Sequence, residues 1–396
     1  MSNSEVKKRV HGVERLRLPE LPDLAGDADV TATQIGPKSS GNEVTVKAQL
    51  PLQQEGDDAQ DDTCPWQQCC PGWEGPVHCI TDWKEAERRY DARFPLVDMN
   101  EQRRLKNVMT CLRERGPYRK LMTVPRDWRR KFRALNEEFP NFSEVVEYLE
   151  VMCALSVHRD KVFRFDPILL NGQPGCGKTY FAERLAGLIG SGSNVIRMET
   201  AQSNAVLAGS ADFWSNTKPG QTFTLLVEKD WANPCMILDE IEKCTSRDFD
   251  PTMALLSLLE PGTARKFTDL SYPWLTLDAS TILWICTSND ADLLPLPVLD
   301  RCRRFEIGPL LDFEARVLIQ RLFDQEIAEL MPGTNAPKLS TAVVEQLVGL
   351  SPRRVKRVVR EAVGRALYDG RRRVLPRDVV VDIVEDDAQR PKIGFI

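Results

Sequence analysis

The sequence predicts an α/β fold that passes, near residue 312, into an all-helical segment. Three observations carry this reading. Apolar runs at residues 168–170, 235–238 and 281–287 have the length and continuity of buried strands. A glycine-rich turn follows the first run and leads into apolar residues at helical spacing. Beyond Asp312 the apolar residues recur with a helical period only.

The first run, with Pro167 at its edge, opens directly into Gly172, Gln173, Pro174, Gly175, Cys176, Gly177, Lys178 and Thr179. This satisfies G-x-x-x-x-G-K-[ST], a loop whose glycines let backbone N–H groups curl around phosphates. Lys178 is placed to reach the β- and γ-phosphates, and the Thr179 hydroxyl to ligate Mg²⁺. Phe181, Leu185, Leu188 and Ile189 then mark a helix, stopped at 190–192 by Gly-Ser-Gly. A helix N-terminus beside a phosphate supplies unpaired N–H groups and a favourable dipole. The expected ligand is a nucleoside triphosphate.

The second run ends in Asp239 and Glu240, which emerge at a strand's C-terminal end, where open α/β sheets place their ligands. Asp239 is expected to hold Mg²⁺ through water, and Glu240 to orient and deprotonate an attacking water. The third run leads to Ser288-Asn289, an amide at a strand tip suited to the γ-phosphate and the lytic water. A short segment from Pro295 then ends in Arg301, a surface charge or a group that offsets transition-state charge in cis or in trans.

In the helical segment, Phe313, Val317, Leu318 and Leu322 predict one apolar face. Ser340 is expected to cap a helix carrying Val343, Val344, Leu347 and Val348. Ser351-Pro352 reads as a capping residue followed by proline at the first helical position. Val355, Val358, Val359, Ala362, Val363, Ala366 and Leu367 form its apolar side, and Gly370 its stop. Arg353 lies in the first turn, where a cation opposes the helix dipole, which points to a task elsewhere, such as reaching the nucleotide.

The 396 residues carry a formal net charge of −5, too mild to name a partner. No apolar run is long enough to cross a bilayer and residues 1–16 lack a secretion signal's apolar centre, so a cytoplasmic location is the default. Residues 1–62 read as a disordered polar tail, and 63–140 as a region of Cys, Trp and basic helices. The α/β domain is expected over 141–308 and the helical domain over 309–396. Between Arg103 and Arg133 basic residues dominate, a surface for nucleic acid or, preferred here, a solvated helix face, since Trp128, Phe132 and Leu135 give that segment a packing stripe. Cys64, Cys69, Cys70, His78 and Cys79 lack paired C-x-x-C spacing, so unligated thiols are expected rather than zinc. Cys153, Cys235 and Cys286, inside apolar runs, read as small buried hydrophobes.

Taken in order, these motifs resemble the AAA+ ATPases and, within them, the ATPase module of Lon-type proteases. The likeness runs from about residue 142 to 386. It is strongest at 167–186, at 233–261 (NPCMILDEIEKC, then DPTMALLSLLEP) and at 287–304 (TSNDADLLPLPVLDRCRR). It implies a P-loop NTPase sheet, parallel with helices on both faces, and then a small helical lid. It also implies a Walker A loop at Gly172 to Thr179, a Walker B pair of Asp239 and Glu240, a sensor-one Asn289, an arginine finger Arg301 and a sensor-two Arg353. Because such a finger serves the neighbouring subunit, the resemblance further implies a homo-oligomeric ring, usually a hexamer, that hydrolyses ATP and acts on a protein partner. Residues 209–220 align with the Lon pore loop, whose aromatic-aliphatic pair grips translocating polypeptide; the aromatic falls on Trp214, next to Phe213, and the aliphatic position on Ser215.

The departures are informative too. Only 43 residues follow Arg353, and none resembles a Ser-Lys peptidase region, so no intrinsic proteolysis is expected. Residues 1–140 do not resemble the Lon substrate-recognition region. Ser351-Pro352-Arg353 replaces the usual Gly-x-Arg. The function expected is ATP-driven remodelling or translocation of a protein partner. The alternative is a nucleic-acid-stimulated ATPase of a mobile-element, replication or repair system.

Overall fold

The computed structural model describes residues 66–200, 205–210, 217–243, 252–331 and 338–381. Phe213, Trp214 and Cys64 therefore lie outside the described residues. The three apolar runs are strands of one five-stranded sheet: β1 (Ile168–Gly172), β2 (Ser193–Arg197), β3 (Cys235–Asp239), β4 (Leu283–Ser288) and β5 (Arg303–Ile307). Their order is β2-β3-β4-β1-β5, and every pairing is parallel.

A parallel sheet with both faces covered needs strands that are apolar on both sides, and side chains alternate along each strand. Leu169, Met236, Leu238, Trp284 and Cys286 enter one apolar cluster. Ile168, Leu170, Cys235, Ile237, Leu283 and Ile285 enter the other. Uninterrupted runs therefore divide, residue by residue, between two cores.

The first core also takes Ala86 and Tyr90 of α1 (Trp83–Arg93), four residues of α2 (Met99–Arg115) and Phe223 and Leu226 of α6 (Gln221–Glu228). The second takes α3 (Trp128–Glu138), α4 (Ser143–Arg159) and α5 (Lys178–Ile189). Trp128, Phe132 and Leu135 are buried on one side of α3, as their spacing predicts. Cys153, Cys235 and Cys286 are 0–1% exposed, again as expected. Residues on both sides of position 140 share these cores.

Within the basic stretch one arginine, Arg119, is directed inward. Arg119 is 2% exposed and lies in a short antiparallel ribbon, Val77–Cys79 with Tyr118–Lys120. Its Nε and Nη2 donate to Leu226 O and Val227 O at 2.8 Å, and its Nη1 to Gly116 O (2.7 Å) and Tyr118 O (2.8 Å). Burial pulls its pKa down to about 10, so it stays charged at neutral pH. The carbonyls of Leu226 and Val227 belong to the last turn of α6, the negative end of that helix. Arg115 pairs with Asp230, Arg130 with Asp127, and Arg129 lies over the Trp128 ring. Arg103, Lys106, Arg126 and Arg133 remain on the surface.

The cysteine-rich segment is built into the same ribbon. Cys70 Sγ faces Tyr118 O at 3.8 Å, Cys79 Sγ faces Thr81 O at 3.2 Å, and His78 Nε2 lies 3.1 Å from the Asp278 carboxylate. Burial pushes both thiols up from their usual range.

After β5 the chain forms α7 (Asp312–Leu330), α8 (Thr341–Leu347) and α9 (Pro352–Tyr368), which share a third core. The buried stripe of α7 is Ile319, Leu322, Phe323 and Glu326, at i, i+3, i+4 and i+7. The face predicted through Phe313 and Val317 is corrected, for these are 61% and 56% exposed. The second turn of α7 meets α8 instead through a polar contact, Arg316 Nε donating to Glu345 Oε1 at 2.7 Å. Glu326, 2% exposed, is held by Arg360 at 2.8 Å and Lys356 at 3.6 Å. Ser340 is the N-cap residue of α8 as expected, but its side chain makes no capping bond. Ser351 caps α9 by accepting from Arg354 N. Leu367, placed on the apolar side by its spacing, is 41% exposed in the last turn of α9.

Candidate nucleotide site

Because all five strands are parallel, their C-terminal ends lie along one edge of the sheet. The register pairs Asn171 with Ser288, Gly172 with Ile307, and Arg197 with Asp239. Parallel pairing thus brings residues far apart in sequence together at that edge.

The loop from Gly172 to Thr179 leaves β1 and enters α5. Gly175 and Gly177 have φ of +85° and +96°, the left-handed region that favours glycine. A Cβ on Gly175 would also stand 2.9 Å from Ser351 Cβ, so the start of α9 packs against the loop. Gly175→Val is therefore expected to weaken ATP affinity about tenfold or more, read by titration with a fluorescent ATP analogue. Unchanged affinity would show that the loop tolerates a side chain there.

Lys178 is 6% exposed. Its Nζ donates to Gly172 O (2.6 Å), Gln173 O (3.0 Å) and Asn289 Oδ1 (3.0 Å). A buried ammonium requires such partners, and all three acceptors are neutral. It is thus a cation poised beside the loop with no carboxylate in these contacts to quench it. Thr179 Oγ1 donates to Asp239 Oδ1 at 2.5 Å, and Thr287 Oγ1 donates to the same oxygen at 2.7 Å. Thr179 and Asp239 offer the hard oxygen donors that Mg²⁺ prefers, so this donor set fits the expected ion.

Glu240 stands at the strand tip with φ +55°, an uncommon backbone for a non-glycine residue and one that concentrates at functional sites. Its N–H donates to Thr287 Oγ1 at 3.0 Å. Its carboxylate accepts from Lys243 Nζ at 2.6 Å and from Asn289 Nδ2 at 3.2 Å. The Lys243 ammonium, with a smaller contribution from Asn289, holds the Glu240 pKa below the usual carboxylate range. Glu240 is therefore ionised at neutral pH, as a base must be.

Lys178, Thr179, Asp239, Glu240 and Asn289 thus form one hydrogen-bonded group. Arg301 and Arg353 do not join it. Arg301 Nη1 donates to Pro297 O at 2.7 Å, inside its own short segment, and Arg353 is exposed in the first turn of α9. Sequence reasoning missed Thr287, a hydroxyl inside an apolar run, as well as Glu242 and Lys243 directly after the acidic pair. It also missed Asn141, whose Nδ2 reaches Cys176 O at 3.4 Å and Gly308 O at 3.2 Å.

The same residues match a known family. Positions 168–310 fit the family model of the ATPase family associated with various cellular activities (AAA). Residues 168–310 are an AAA module. Lon protease of Aquifex aeolicus is 36% identical over 131 residues, 33% of this chain and 16% of that protein. Lon protease of Halothermothrix orenii is 26% identical over 296 residues, 73% of this chain and 36% of that protein. The chain thus spans between about a sixth and a third of these relatives' length. A solved Hsp104:casein complex from S. cerevisiae matches with a TM-score of 0.51 at 16% identity, covering 66% of this chain and 51% of that one. This last likeness concerns the fold alone. The AAA module includes β1 to β5 and hence every residue of the hydrogen-bonded group.

Proposed function

We propose that this chain hydrolyses ATP within a homo-oligomeric ring, a hexamer by resemblance, and couples hydrolysis to remodelling or translocation of a protein partner. The observation that carries the reading is the convergence of Lys178, Thr179, Asp239, Glu240 and Asn289 at one sheet edge. The loop N–H groups and Lys178 would bind the phosphates, Lys178 exchanging its carbonyl contacts for phosphate oxygens. Thr179 and Asp239 would hold Mg²⁺, which neutralises phosphate charge when bound. Glu240 would take the proton of the attacking water, and Asn289 would orient that water. Arg301 would act on the nucleotide of the neighbouring copy, consistent with its lack of a loop partner in its own chain among the described residues. Arg353 would report nucleotide state through α9, whose cap Ser351 already touches Gly175. Phe213 and Trp214 would grip the polypeptide.

Trans action makes a sharp prediction. Arg301→Ala should keep ATP binding and lose about 10³-fold in kcat. Mixing it with Lys178→Ala, equally inactive, should restore turnover, because one variant donates the arginine and the other the intact site. Two dead variants that stay dead when mixed, or a monomer running at full speed, would overturn the ring. The partner class is read by comparing ATPase rates alone, with unfolded protein and with DNA, in the wild type and in Trp214→Ala. Stimulation by unfolded protein that disappears in the variant is expected. The nucleic-acid alternative rests on the stretch from Arg103 to Arg133; the burial of Arg119 and the pairing of Arg115 and Arg130 with carboxylates take part of that charge away from it. Among the described residues no helix is long and apolar enough to cross a membrane.

A further inference from the structure

We infer that Glu242 is a positioning residue for the water-orienting Asn289; the inference rests on the ATPase reading above. One oxygen, Glu242 Oε1, accepts from both the backbone N (3.1 Å) and the side-chain Nδ2 (2.9 Å) of Asn289. The same Nδ2 stands 3.2 Å from Glu240 Oε1, while Asn289 Oδ1 accepts from Lys178 Nζ at 3.0 Å. Lysine only donates and ionised carboxylates only accept, so just one orientation of the amide satisfies all three neighbours. Asn289 is therefore locked with its oxygen toward the phosphate-binding lysine and its nitrogen toward two acids.

The backbone explains why Glu242 can reach. Glu240 takes its left-handed conformation, Ile241 is fully buried, and Lys243 N closes the turn onto Glu240 O at 3.0 Å. This tight turn points Glu242 at the tip of β4 while Glu240 faces the site. Arriving phosphate would draw Lys178 away and leave Asn289 Oδ1 without its partner. Without Glu242, the amide nitrogen would then be held by Glu240 alone, tying up the base and leaving the amide free to rotate. Glu242 keeps Asn289 anchored through backbone and side chain, so that Glu240 can release it to meet water.

The test is a set of steady-state ATPase and nucleotide-binding measurements on the full chain. Glu242→Ala should lower kcat about ten- to a hundredfold, the effect of losing a charge-assisted hydrogen bond at the reacting centre, while ATP affinity stays unchanged. Glu242→Gln, which keeps an acceptor at the same place, should recover most of the rate and guards against a folding defect in the alanine variant. On an Asn289→Ala background, Glu242→Ala should cost nothing further, since its target is gone. Full additivity of the two losses, a change in KM alone, or an unimpaired Glu242→Ala would each overturn the role. Wild-type turnover in Glu240→Gln would instead overturn the hydrolysis reading on which it stands.

Discussion

Glu240→Gln should bind ATP as tightly as the wild type and hydrolyse it about 10²–10⁴-fold more slowly. The amide is nearly isosteric, so the strand tip and the turn after it should survive. What it loses is the ability to accept a proton. The contacts also favour Glu240 over Glu242 or Asp239 for the proposed role of base. Asp239 Oδ1 is taken by two hydroxyls, and Glu242 Oε1 by two N–H groups of Asn289. Glu240 instead faces a half-exposed lysine and one amide nitrogen, partners it can release. The decisive measurement is single-turnover hydrolysis beside a direct binding isotherm. Undiminished turnover would remove Glu240 from the mechanism, and lost binding would reassign it to nucleotide affinity.

Arg119→Met should destabilise the chain by about 3–5 kcal/mol in urea unfolding, a large part of the usual total. Methionine fills much of the same space but donates no hydrogen bond. Carbonyls of Gly116, Tyr118, Leu226 and Val227 would lose their donor in a buried site, at about 1–3 kcal/mol for each one left unpaired. Relaxation and entering water recover part of that sum, which is why the expected net is smaller. Arg119→Lys should recover only part of the loss, because an ammonium cannot span the two adjacent carbonyls as the planar guanidinium does. A cost below about 1 kcal/mol for the methionine variant would mean the fork is dispensable. The opposite pattern, intact stability with weakened binding to DNA, would return this arginine to the nucleic-acid reading.

The nucleotide site was legible because its chemistry demands contiguous residues. A loop that wraps phosphate needs glycines at fixed offsets, and Gly175 and Gly177 do adopt left-handed backbone. Asp239, Glu240 and Asn289 were legible because each stands within two residues of the end of an apolar run. Thr287 was hidden because a hydroxyl inside such a run looks like any tolerated β-branched residue. Glu242 was hidden because its role depends on the left-handed turn at Glu240, which no local pattern announces. Phe313 and Val317 misled because a helical apolar period marks a face capable of burial, not one that finds a partner.

Local sequence by itself determined the strands β1, β3 and β4, the phosphate loop, the helix caps at Gly190 and Ser351, and the order in which the acidic and amide groups appear. These follow from short-range sterics and from apolar runs long enough to require burial. Only the tertiary structure decided which residues meet. Parallel pairing in the order β2-β3-β4-β1-β5 sets the tips of β1, β3 and β4 side by side, and that alignment alone joins Lys178, Asp239 and Asn289. It likewise decided that Arg119 turns inward. The last carbonyls of α6 need donors, and the ribbon beside them places one guanidinium within reach.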